Sequence, residues 1–172
     1  MSGLSILVLV LPLPIAFIIH DLEEILFLNK WMMRHRCGLI ERFPKMAPAL
    51  ERLAGLGTKG FAIAAAEELL IILLVTAYVL AQCPYAREIW IAVYMAFSIH
   101  LFVHTVQAIV IRGYVPGLVT TILLLPYAVY GIHSILLVMN WLHLLLLSLA
   151  GVVFLIVNLR FAHYLGELVS KD

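Results

Sequence analysis

Long apolar runs separated by short polar breaks repeat along the whole chain. A helix crossing a bilayer needs about 20 mostly apolar residues. Five stretches meet that length: 4–28, 58–81, 88–111, 116–139 and 141–160, the last continuing as a short helix to about Val169. Helices satisfy every backbone polar group internally at this segment length. The pattern therefore predicts an all-α, polytopic membrane bundle of five transmembrane helices, formed by residues 1–172 as a single domain. Pro12 and Pro14 predict an irregular or kinked start to the first span, and Pro126 a kink in the fourth.

The segment between the first two spans, 30–57, is different in character. It mixes Lys30, Arg34, Arg36, Arg42, Lys45 and Arg52 with Trp31, Met32, Met33, Leu39, Ile40 and Phe43. An amphipathic loop whose interfacial helices lie on the membrane is the expectation. Pro48 and Gly55 bracket a short helix within it. By the positive-inside rule this loop is cytoplasmic. Alternation then places every Lys and Arg except Arg87 on the inner face. The N-terminus is thereby assigned outside and the C-terminus inside. Cys37 and Cys83 fall on opposite faces, so no disulfide joins them.

Composition agrees with the membrane assignment: of 172 residues, 65% are hydrophobic and 12% charged. A net charge of only +1 gives no electrostatic footprint for nucleic acid. Membrane lipid and a small lipid-soluble molecule are the natural partners, and a homo-oligomer is compatible with the chain.

Against this apolar background, several ionisable residues stand out. His20, Asp21, Glu23 and Glu24 lie in the first span, Glu67 and Glu68 in the second, His100 and His104 in the third. Such groups at membrane depth usually mark a functional site. Their depths agree. Counted from the basic residue at each inner end, Glu23 and Glu24 lie about 9–11 Å in and His20 about 15 Å. Glu67 and Glu68 lie about 12–14 Å in, His104 about 12 Å and His100 about 18 Å. Residues three and four apart share a helix face, which pairs His20 with both Glu23 and Glu24, and His100 with His104.

Four glutamates at one level without a Lys or Arg demand compensation from protons, His⁺ or a cation. Imidazole and carboxylate together suit a divalent metal, with Fe, Zn and Mn all admissible. His20, Glu23, Glu24, Glu67, Glu68, His100 and His104 exceed the needs of one tetrahedral ion and suggest a dinuclear centre with bridging carboxylates. Glu23 and Glu68 are the candidates for a catalytic base. Asp21, Thr120, Thr121, Tyr127 and Asn158 could support the ligands from outside. Arg112 and Tyr114, at the inner interface, could hold an anionic headgroup or form a clamp before Pro116.

His20-Asp21-Leu22-Glu23-Glu24 spells H-x-x-E-E at the inner end of the first span. With the acidic pair in span two, the histidine pair in span three and Arg112-Gly113-Tyr114-Val115-Pro116-Gly117 following, the chain resembles the HXXEE-domain family of small integral membrane proteins. The resemblance covers about His20 to Thr121. It implies a membrane protein whose histidines and glutamates act together, and it supplies no substrate.

The reading that best fits these residues is a membrane metalloenzyme acting on a lipid-soluble substrate. A metal-free glutamate-type intramembrane protease is an alternative, although no arginine follows the Glu67-Glu68 pair through Leu74. A proton or cation transporter is another, although the chain shows no internal repeat of the kind such proteins carry.

Overall fold

A computed structural model describes residues 8–170 of the chain. Five helices account for nearly all of them: α1 (Pro12–Arg42), α2 (Ala47–Leu80), α3 (Ala86–Ile111), α4 (Leu118–Leu136) and α5 (Trp141–Ser170). Four are long and apolar enough to cross a membrane, namely α2 with the turn before it, α3, α4 and α5. α1 is 31 residues long but does not belong to that set, because Asp21, Glu23 and Glu24 interrupt its apolar middle. The start of the first predicted span, from Leu4, lies partly outside the described residues.

The 30–57 segment, expected as an amphipathic loop of interfacial helices, is helical and continuous with its neighbours. α1 runs past Leu28 to Arg42, since no proline interrupts 29–42 and its Met32 and Leu39 are buried. Pro44 ends it by forcing Phe43 out of the helical region, and a 3-10 turn at Pro44–Met46 leads directly into α2. A short helix at the start of α2 matches the expectation, except that the break falls at Gly57, not Gly55. At Gly57 the backbone turns to φ 64°, ψ 177°, a conformation open to glycine but not to side-chain-bearing residues. Pro12 and Pro14 sit in the first turn of α1, where a missing N–H is harmless.

Two basic side chains close helix ends. Arg42 donates to the Val110 and Ile111 carbonyls at the C-terminus of α3 (2.7 and 3.4 Å), and Lys59 to the Val169 carbonyl near the end of α5 (3.4 Å). Cations here satisfy orphan carbonyls and complement the helix dipole. These contacts bring the end of α1, the start of α2 and the ends of α3 and α5 to one side, called here the basic end.

α5 packs along α2 and α3. A Cβ at Gly151 would strike the Ala92 carbonyl, so glycine is what lets these two backbones approach. Toward the other end, Leu9, Leu13, Phe17, Trp90, Tyr94 and Ala128 form the apolar core. Tyr94 donates to the Tyr127 carbonyl inside α4 (2.7 Å), at the residue after Pro126, and the Tyr127 hydroxyl donates to the Leu9 carbonyl (2.6 Å). Cys37 and Cys83 are both free.

Candidate metal centre

His20 and Glu24 on α1 meet His100 and His104 on α3. Each of the four offers a ligand atom, and these atoms lie within 4.8 Å of one another. His104 Nε2 is 3.0 Å from His100 Nε2 and 3.3 Å from Glu24 Oε1, while His100 Nε2 is 4.0 Å from Glu24 Oε2. The His20 ring centroid stands 4.9 Å from that of His104 and 5.1 Å from that of His100. The i, i+4 spacing within each helix is what turns each pair onto one face.

Glu23 faces away from this group and does a different job. Its carboxylate accepts from the Tyr114 hydroxyl (2.8 Å), the Val119 amide (3.3 Å), the Thr120 amide (2.7 Å) and the Thr120 hydroxyl (2.6 Å). Gly117, the N-cap of α4, has no side chain to bond those amides, so Glu23 caps α4 from another helix. Four donors fill the acceptor sites of one carboxylate. Burial and the Glu23 charge push the Tyr114 phenol above its ordinary range, which keeps its proton available for this bond.

This cap determines the protonation of His20. Thr120 Oγ1 has a single hydrogen, and its contact with Glu23, at 2.6 Å to a charged acceptor, is much stronger than the 3.2 Å alternative to the Gly117 carbonyl. Toward His20 Nδ1, 3.1 Å away, the hydroxyl can therefore only accept. In the neutral imidazole the proton is then on Nδ1 and the lone pair on Nε2. That Nε2 is buried and without a hydrogen-bond partner. An orphaned acceptor beside two imidazoles and a carboxylate is chemically matched to a cation. A neutral imidazole held by a hydrogen bond at its other nitrogen is the usual form of a metal-binding histidine.

The Arg112–Gly117 turn fixes the opposite wall. Arg112, at φ 60°, takes the left-handed position after α3, and Gly113 N–H bonds the Ala108 carbonyl. The Trp31 indole donates to the Tyr114 carbonyl (2.9 Å). Gly117 has φ 86°, and a Cβ there would lie 3.0 Å from Cε1 of both His20 and His104. Glycine is needed twice over, for its backbone and for the room it leaves two imidazoles. The buried His104 ring lies against the Pro116 carbonyl.

A family profile described as "Protein of unknown function with HXXEE motif" matches residues 11–131. The chain belongs to the HXXEE family. Comparison with curated proteins and with solved structures gave no match. The HXXEE match spans α1, α2, α3 and most of α4, so every residue of the His/Glu group, its Glu23–Thr120 support and the Arg112–Gly117 turn fall inside it, whereas α5 lies beyond it.

Beside the HXXEE histidines lies a cavity of about 690 Å³ between α1, α2, α3 and α5. His100, His104 and Glu24 form part of its wall, with Asp21 and Glu68. Of the seven ligands expected from sequence, the structure thus gathers four. Glu68 lines the cavity with Glu24, Glu23 caps α4, and Glu67 accepts from Asn158 on α5 (3.0 Å). Arg112 is exposed, and neither it nor Tyr114 lines the cavity. Thr120 supports a ligand directly, whereas Tyr127 belongs to the distant Leu9 contact. Gly117 was not singled out from the sequence, although the Pro116-Gly117 pair signals a turn.

Proposed function

We propose that the protein is a membrane-embedded metalloprotein holding one divalent ion through His20 Nε2, His100, His104 and Glu24. The observation that carries this is His20 Nε2: its lone pair is exposed by the Glu23–Thr120 chain and left without a partner inside a ring of donors. Three imidazoles and one carboxylate suit a single ion of zinc, iron or manganese, in place of the pair that seven ligands would have served.

The reading extends to an enzyme on a lipid-soluble substrate. His100 and His104 open onto a largely apolar cavity, so a bound ion would sit at the wall of a space fit for a hydrocarbon. The ion would supply Lewis acidity or an activated water there. Glu68, which lines the same wall as Asp21 and lies outside the ligand group, would take up a proton in this reading. Glu23, with its acceptor sites filled, holds His20 in its tautomer and is a positioning residue. The basic end is assigned to the cytoplasmic side, with α1 completing the bundle.

Calorimetric titration of chelator-treated protein with zinc, iron(II) and manganese(II) tests the site. One-to-one binding that is lost in His104→Ala supports it; equal binding by wild type and that variant overturns it.

A further inference from the structure

The wall of the cavity specifies the kind of molecule that fits it. Its sides are apolar side chains such as Phe61, Ile72, Val93, Phe97 and Leu155, running from the His/Glu group toward the Phe43 and Met46 elbow at the basic end. Volumes of 300–1,000 Å³ are typical of sites for small molecules, and about 690 Å³ lies within that range. Phe102, Val106 and Val110 belong to the wall and are also exposed on α3, a helix apolar enough to cross the membrane. The opening therefore faces the hydrocarbon flank of the bundle.

Charge narrows the occupant further. The polar part of the wall carries Asp21, Glu24 and Glu68 with His100, His104 and His163, and among the described residues no Lys or Arg lines the cavity. An anionic head would enter a largely apolar wall with no Lys or Arg to pair with, where an unpaired charge is costly. An uncharged oxygen, as in an alcohol, can donate to a carboxylate.

We propose that the cavity takes an uncharged, single-chain lipophile of the long-chain alcohol class, admitted sideways from the bilayer past α3, with its oxygen toward Glu24, His100 and His104. This rests on the reading of the His/Glu group as the reactive end of the cavity. The same wall disfavours fatty acids and lipid phosphates, which bring a charge without a cationic partner.

Binding of radiolabelled hexadecanol and palmitate to the detergent-solubilised full chain, at about pH 8 where palmitate is ionised, tests this. The expected result is saturable hexadecanol binding and palmitate binding about tenfold weaker or more. Ala65→Phe and Ala96→Leu, which fill the cavity from α2 and α3, should each abolish hexadecanol binding with helical circular dichroism unchanged. Leu142→Phe, exposed and away from the cavity, should retain it. Palmitate binding as tightly as hexadecanol, or hexadecanol binding surviving both filling variants, overturns the proposal. His20→Ala separates the two readings, because His20 does not line the cavity. That variant should lose metal and keep hexadecanol. Wild type that takes up none of the metal supplied yet binds hexadecanol defeats only the metal centre, and metal-loaded wild type that ignores hexadecanol defeats only the lipophile.

Discussion

Thr120 Oγ1 lies 3.1 Å from His20 Nδ1, across 100 residues of sequence, and accepts that nitrogen's proton. The contact joins the start of α4 to the middle of α1 and leaves the second His20 nitrogen free for a ligand. Replacing Thr120 by Val keeps the shape and removes the acceptor. Metal affinity should fall about 10- to 100-fold, the usual effect of losing a hydrogen bond behind a ligand. Thr120→Ser should restore most of it. Competition with a calibrated chelator reads both variants.

Gly117→Ala places a methyl group against both His20 and His104 on a backbone at φ 86°. The left-handed conformation alone is unfavourable by about 1–2 kcal/mol for a residue with a Cβ. The variant should unfold at lower temperature in detergent and also bind metal more weakly, whereas a purely backbone effect would lower stability alone. Thermal unfolding with and without added metal separates these.

The acidic residues should divide by position. Glu24→Gln removes a group in the His/Glu cluster and should lose metal; Glu67→Gln changes a carboxylate that bonds Asn158 and should keep it. Glu68→Gln should retain metal and lose turnover once a substrate is in hand.

Arg42→Ala uncaps α3 and should destabilise the fold by about 1 kcal/mol without altering metal content. Arg42→Lys should recover part of that. Denaturant or thermal midpoints in one detergent give the comparison.

Most of the architecture was legible because membrane solvent imposes a simple rule: apolar length predicts a helix. The boundaries of α3 and α4, and the C-terminal end of α2, fall within a few residues of the apolar runs. The helical character of 30–57 was legible in its amphipathic pattern, but not the unbroken run of α1 to Arg42, which rests on the burial of Met32 and Leu39. Depth counting placed the polar residues at one level, and i, i+4 spacing gave the His100–His104 pair. Neither could say which glutamate turns inward. Glu23 and Glu24 are adjacent and differ by about 100° around the helix, and only the position of α4 decides that Glu23 caps its amides. The role of Gly117 depends on two imidazoles arriving from other helices, which no local pattern records.

Elemental analysis of purified protein, with wild type beside His100→Ala and Glu67→Gln, tests the central claim most directly. The account expects close to one transition-metal ion per chain in wild type and in Glu67→Gln, and a clear loss in His100→Ala. Equal metal in all three, or none in wild type after growth and purification with metal supplied, would contradict it.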